Sequence, residues 1–372
     1  MSDVYDLVFE GGGAKGAAFV GAMKAFYQRG CKHRRLIGTS AGAITATLLA
    51  AGFTPDDLYS FVKEKKDDTP VFTSFMDVPQ KKFCEQFIET SDIFKELDKE
   101  SSLFFSFIEL ISKAAQRETI ENLLHIQSYR QLFCFIECGG LYAGEEFLRW
   151  MKSKLSQKMS SDITLSDFYK KTGTDLSLLA SNTSKCRILV LNHRTAPDCP
   201  VAWAVRMSMS IPFVWSEVIW REEWGKYLNE EMAGDRIVDG GMLSNFPLFL
   251  VEKDAEGHHN KTQIMGIEIK DEDAGTIGLL IDETLPVPEQ KNDIQCSISG
   301  KLKTVNRVNT LINTMCCSHD NEVIRNNPHL ICRLPAKGYG TTEFDMPDYR
   351  LDALITAGKK AMENHLDQRK AA

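Results

Sequence analysis

Apolar positions come in short blocks at the start of the chain. Val4 to Phe9 is a nearly unbroken apolar run closed by Glu10, the pattern of a buried strand. A glycine-rich stretch, Gly11 to Gly16, follows it. Apolar residues then recur at helical spacing from Ala17 to Gln28, with Gly30 as the stop. Leu36-Ile37 is the next strand, and a small-residue helical run, Ala43 to Ala51, leads on to Gly52. Thr54 caps a further helix, with Pro55 in its first position and Asp56 and Asp57 matched to the dipole, reaching Lys65. Strand, glycine loop, helix, strand, tight turn, helix predicts an α/β fold: a mostly parallel central sheet with helices on its faces.

Downstream, helices are expected from Gly144 to about Leu155, from Thr164, from Val201 to Met209, and from Tyr349 to Gln368. The last carries Leu351, Leu354, Ile355 and Met362 on its apolar face. Leu176 to Ala180 and Arg187 to Leu191 read as a hairpin or neighbouring strands, and Arg236 to Val238, Gln263 to Ile269 and Leu330 to Leu334 as further strands. Between Thr69 and Gly139 the pattern is less regular and rich in phenylalanine: Phe72, Phe75, Phe83, Phe87, Phe94, Phe104, Phe105 and Phe107. Packing of helices onto the sheet explains such a stretch; so does a cap over an apolar pocket or a face that meets lipid. No repeat or low-complexity linker divides the chain. One domain over 1–372 is expected, with a core at about 4–255, a helical insertion at about 69–139, and C-terminal strands and a helix in 256–372.

Composition narrows the partners. With 43% hydrophobic and 26% charged residues the chain is of ordinary globular type, and its formal net charge of -7 argues against nucleic acid. The acidic N-terminus is no secretory signal, and no apolar run approaches the ~20 residues that span a bilayer. The expected location is cytoplasmic, with any membrane contact peripheral. The ten cysteines are scattered. Cys134 and Cys138 share a helix side, and Cys316 and Cys317 lie near His319, but no pairing has zinc-site spacing. The expectation is reduced thiols, no metal and no cofactor.

The chemistry concentrates at Gly38-Thr39-Ser40-Ala41-Gly42, a G-x-S-x-G at a strand-to-helix turn. Gly38 and Gly42 leave the hydroxyl uncovered, and the helix that follows turns its positive end toward it. Ser40 needs a base. In the common hydrolase order His319 or His329 would serve, though neither sits in a motif. Asp239, at the end of a short apolar strand and followed by Gly240 and Gly241, is the better candidate, because carboxylates at strand ends of an α/β sheet point into the ligand crevice. The loop Gly11-Gly12-Gly13-Ala14-Lys15-Gly16 fits a dinucleotide fingerprint, but the acid expected at the end of the second strand is replaced by the serine turn, and Lys15 is misplaced for a Walker loop. The same glycine N–H groups fit an oxyanion hole, with Lys15 adding positive field.

These three motifs, in this order, resemble the patatin-like phospholipases. Ala204 to Pro212 and Ser244-Asn245-Phe246-Pro247 agree with the resemblance, which covers residue 4 to about residue 250. It implies a single patatin-like domain and a Ser-Asp dyad without histidine: Ser40 attacks an ester carbonyl, Asp239 accepts its proton, and the Gly11–Gly16 loop, chiefly Gly12 and Gly13 with Lys15 nearby, holds the oxyanion. A lipid acyl hydrolase of phospholipase A or lysophospholipase type follows, with membrane phospholipid or another lipid ester as substrate. A soluble esterase or acyl thioesterase on the same dyad is the alternative, and a nucleotide-binding regulatory protein a third reading. The weak basicity of a carboxylate predicts that burial raises the pKa of Asp239.

Overall fold

The first strand of the chain lies inside the sheet, between the next strand in sequence and one from residues 275–286. The computed structural model describes residues 3–88, 122–251, 264–266, 274–288 and 323–371. Its strands are β1 (Val4–Phe9), β2 (Lys32–Thr39), β3 (Lys65–Lys66), β4 (Thr69–Pro70), β5 (Gly140–Tyr142) and β6 (Asp175–Asn182). They continue with β7 (Arg187–Leu191), β8 (Phe213–Trp215), β9 (Val218–Ile219), β10 (Arg236–Asp239), β11 (Gly275–Pro286) and β12 (Ile331–Lys337). The main sheet runs β12-β11-β1-β2-β6-β10-β9, with β7 also on β6. From β12 to β6 all pairings are parallel, while β7 and β10 run antiparallel to β6. This is the mostly parallel α/β sheet expected from the alternation of elements.

The period-2 pattern divides the sheet's side chains between two cores. Leu7 and Phe9 of β1, Leu36 of β2, Leu178 of β6 and Leu279 of β11 enter the larger one. It also takes up the helices α1 (Ala17–Gln28) and α2 (Ala41–Ala50), together with the helices Glu145–Ser156, Val201–Ser208 and Asp348–Ala371. Val8, Ile37, Leu179 and Leu280 point the other way, against Phe246, Leu248, Leu250 and Met265. The helix α3 (Pro55–Val62) starts as its sequence predicts. The Thr54 side chain accepts from the Asp57 N–H at 3.2 Å, and Asp57 accepts from the Thr54 N–H at 2.8 Å. It stops at Val62, and Lys65–Lys66 turns into a small hairpin with Thr69–Pro70.

Two expectations need revision. Ile264 and Met265 are helical rather than part of a strand, and the strand beside β1 is Gly275–Pro286. Its interior Gly278 lies where the Phe246 ring packs against the backbone, and this glycine dilutes the local strand signal. The phenylalanine-rich stretch is not one structure. Phe72 and Phe75 join the aromatic stack with Phe147 and Trp150. Phe83 and Phe87 pack on a separate cluster of Cys84, Ile88, Leu124 and Phe133. Phe94, Phe104, Phe105 and Phe107 lie outside the described residues. Among the described residues no helix is long and apolar enough to cross a membrane.

Candidate active site

The sheet register brings Ser40 and Asp239 together. At Leu178 and Leu179, β6 pairs with β2 on one edge and β7 on the other. At Ala180 to Asn182 it pairs with β7 and β10. Strands β2 and β10 therefore occupy the same edge of β6, running toward each other. Thr39 ends β2 opposite Leu179, and Asp239 ends β10 opposite Ala180. Ser40 follows Thr39 directly, so the two chain ends meet within one step of the register.

Ser40 sits at φ 52 and ψ -119, in the left-handed half of the map, as a sharp strand-to-helix turn requires. Its N–H donates to Ser208 Oγ at 3.0 Å. Gly42 is essential to this turn: a Cβ there would overlap the Phe9 carbonyl and lie 2.7 Å from that of Glu10. The elbow is therefore pressed onto the end of β1, where the glycine loop begins. Among the described residues no histidine hydrogen-bonds Ser40 or Asp239. His329 lies in the turn Pro328–Leu330, and His319 lies outside the described residues.

Asp239 is buried. Its Oδ1 accepts from the Gly241 N–H at 2.7 Å, and its own N–H donates to the Ser210 carbonyl at 2.9 Å. Oδ2 is buried with no hydrogen-bond partner among the described residues. Burial pushes the carboxyl up to about 7, against the lowering effect of the Ser40 hydroxyl and the Gly241 N–H. The serine is thus within interaction range, although no bond of ordinary length closes between the two side chains. This is the upward shift expected from the sequence, with desolvation as its cause.

The glycine loop divides its donors. The Gly11 N–H is committed to the Asn245 carbonyl at 3.0 Å, so Gly11 does not supply an oxyanion donor. The Ala14 N–H is bound to the Thr341 carbonyl at 2.9 Å. The Lys15 amine is buried and pairs with Glu283, which occupies the charge that was expected to face the oxyanion. Gly16 packs its Cα against Ala41 at the start of α2. Among the described residues, Gly12 and Gly13 are the loop's donors that no such bond takes up. With this many groups engaged, the loop offers a poor cradle for a phosphate chain.

Three supporting residues carried no signal of their role. Asn245 reaches from the loop after Asp239 to the glycine loop: its Nδ2 donates to the Gly11 carbonyl at 3.0 Å and to Glu10 Oε1 at 3.1 Å. A Cβ at Gly11 would overlap its Oδ1, so the two loops are wedged at a fixed separation. Ser208 anchors the elbow. Arg206, fully buried and lowered by that burial to about 10, donates to the carbonyls of Ala143 at 2.8 Å and Ser216 at 3.1 Å, and to the Ser210 hydroxyl. Ser210 in turn receives the Asp239 N–H. Two of these residues fall in Ala204 to Pro212 and the third in Ser244 to Pro247, so the sequence marked their segments without revealing their tasks.

Ser40 opens into a pocket of about 760 Å³. Ala17 and Val20 of α1, Ile44 and Leu48 of α2, and Leu58 and Phe61 of α3 line its sides. Phe72, Phe75 and Trp150 also line it, together with Met209, Ile211 and Trp215. Most of this surface is hydrocarbon or aromatic, as an acyl chain would need. Part of the phenylalanine-rich stretch thus does line an apolar pocket.

Comparison with known proteins agrees with these motifs. A family model described as patatin-like phospholipase matches residues 7–251. The uncharacterized protein YqhO of Bacillus subtilis (strain 168) is 26% identical over 370 residues, 98% of each chain. A probable lipid hydrolase, 463L of Invertebrate iridescent virus 6, is 24% identical over 256 residues, 68% of this chain and 64% of that one. Among solved structures, VipD from Legionella pneumophila aligns with a TM-score of 0.44 and 13% identity, over 98% of this chain and 67% of that chain. The match over 7–251 spans well over half of the sequence, and the chain belongs to the patatin-like phospholipase family.

Proposed function

We propose that this protein is a lipid acyl hydrolase that cleaves carboxylic esters through Ser40 and Asp239. The observation that carries the reading is the apolar pocket of about 760 Å³ that opens at Ser40, beside a buried carboxylate raised to about 7. An acyl chain in that pocket places its ester carbonyl at the elbow. Ser40 Oγ attacks the carbonyl carbon as its proton passes to Asp239 Oδ2. The oxygen that gains negative charge is held by the Gly12 and Gly13 N–H groups, one such donor being worth about 3 kcal/mol of barrier. The tetrahedral intermediate collapses, the C–O bond to the alcohol breaks, and Asp239 returns the proton to the departing oxygen. Water then attacks the acyl-serine with Asp239 again as base, releasing the fatty acid and restoring Ser40.

A carboxylate of ordinary pKa would be too weak a base for this work, and desolvation supplies the missing basicity. Phospholipid is the substrate class favoured by the family and by the pocket's lining, with membrane contact peripheral. The deciding experiment is product analysis on a mixed-lipid extract with wild type and Ser40→Ala. Wild type should release free fatty acid and lysolipid, and Ser40→Ala should lose activity by a factor on the order of 10³ or more. Products that persist in Ser40→Ala at wild-type levels would end the serine mechanism. Faster turnover of monomeric than of aggregated substrate would favour the soluble esterase or thioesterase instead.

A further inference from the structure

A second, smaller cavity, partly open to solvent, lies beside the first. No residue of the serine elbow, of α2 or of the Asp239 loop lines it, so it lies away from the reacting groups. The two cavities share Ala14, Ala17, Val62, Phe72 and Phe344 as walls. Two of these are alanines, and Val62 stands at the end of α3. The two phenylalanine rings make the bulk of the partition.

The rings are held differently. Phe72 packs edge-on to Trp150 with centroids 5.7 Å apart, and 5.1 Å from Phe75, so it belongs to the aromatic stack. Phe344 has a single ring neighbour among the described residues, Trp215 at 5.9 Å. It comes from the irregular stretch between β12 and the final helix, beyond residues 7–251 that match the family model. The same stretch fastens to the glycine loop through the bond from Ala14 to Thr341. Beyond the partition the smaller cavity is lined by the apolar Met346 and Leu351 and by the charged Lys63, Lys65, Glu343 and Asp348, of which Lys65 and Asp348 pair at 2.9 Å.

We propose that Phe344 sets the length of acyl chain this protein accepts, and that the smaller cavity is the extension a longer chain enters when that ring is removed. The proposal rests on the acyl-hydrolase reading above. A straight chain gains binding with every methylene it buries, about fourfold in kcat/KM each, which converts to about 0.8 kcal/mol. The gain stops where the chain meets a wall it cannot displace. With Phe344 in place that wall stands between the two cavities; without it the apolar surface continues to Met346 and Leu351.

The test is kcat/KM on p-nitrophenyl esters of four to eighteen carbons, each rate divided by that of the four-carbon ester, for wild type, Phe344→Ala and Phe344→Trp. The wild-type profile should rise and then level or fall at a limiting length. Phe344→Ala should move that limit to longer chains, gaining about fourfold for each methylene past the wild-type limit, and Phe344→Trp should move it to shorter ones. A limit at the same length in all three proteins overturns the proposal. If Phe344→Ala fails to unfold cooperatively, Phe344→Trp and Phe344→Leu carry the comparison. If wild type cleaves no ester, the hydrolase reading has failed, and equilibrium binding of the matching fatty acids to the same variants then decides the role of Phe344: a binding limit that does not move with the side chain overturns it.

Discussion

If Asp239 is the base, its protonation should govern the rate and the stability of the fold in opposite senses. Its carboxyl is raised from 3.8 to about 7, mainly by burial. Only the ionised form can take the Ser40 proton, so kcat/KM should fall with unit slope below about pH 7. At pH 5 about 1% of the carboxyl is ionised, a loss of about 100-fold relative to pH 8. An aspartate titrating near its ordinary value would leave the profile flat over the same range. Stability runs the other way. Between pH 3.8 and about 7 the folded state keeps a proton that the unfolded chain has released. Unfolding free energy therefore declines as pH rises through that window, and above it the full penalty is about 4 kcal/mol. Asp239→Asn stays neutral throughout, and its Oδ1 still accepts from Gly241. The variant should lose at least about 10³-fold in kcat, yet resist urea better than wild type at pH 8 by up to about 4 kcal/mol. The gain should vanish near pH 4. The assays are a pH series on a soluble ester at low substrate and urea unfolding at pH 4 and 8. A flat rate from pH 5 to 8, with wild type and Asp239→Asn equally stable at pH 8, would refute the reasoning.

Other perturbations test the scaffold around the dyad. Ser208→Ala leaves the buried Ser40 N–H without its acceptor, which costs about 1–3 kcal/mol; urea unfolding should show that loss, and kcat should drop with it because the elbow loses its anchor. Gly42→Ala drives a methyl group into the Phe9 and Glu10 carbonyls, and should destabilise by about 2 kcal/mol or more; a denaturation midpoint equal to wild type would contradict the close approach. Asn245→Ala removes the wedge between the glycine loop and the Asp239 loop, and should lower kcat on soluble esters more than it raises KM, since the two loops serve the reacting atoms rather than the chain.

Much of this architecture can be read from local sequence. The run Val4 to Phe9, the elbow at Ser40, the Thr54 capping box and the Arg236 to Asp239 strand each declare themselves within a few residues, because sterics, caps and turn glycines act locally. What escapes is set by distant partners. Gly275–Pro286 is a strand because β1 and β12 enclose it, not because its own pattern demands it. Gln263 to Ile269 has the pattern, but Ile264 and Met265 do not adopt the strand. The same limit applies at the site. Nothing near Gly11 foretells that its N–H is taken by Asn245, or that Lys15 is drawn to Glu283. Those bonds join residues more than two hundred positions apart, and they redistribute the loop's donors after the fold has formed.

The topology also bears on why a dyad without histidine is physically reasonable here. Two strands converge on one edge of β6, Asp239 ending one of them and Ser40 following the last residue of the other. That arrangement delivers a carboxylate from a strand end to the serine turn, and among the described residues no imidazole hydrogen-bonds either side chain. A carboxylate there is useful as a base only if water is kept away from it. Met209 and Ile211 line the apolar pocket, and Ser210 between them receives the Asp239 N–H, so the backbone that carries the carboxyl is tied to the pocket wall. If that wall also keeps water from the carboxyl, acyl binding and base strength draw on one set of contacts. A substitution that admits water into this wall, such as Ile211→Asn, should weaken both together: the acid limb of the kcat/KM profile should slide from about pH 7 toward the ordinary carboxyl range as the preference for long acyl chains fades. If chain preference fades while the acid limb stays in place, the two properties are separately held, and the desolvation of Asp239 has another source.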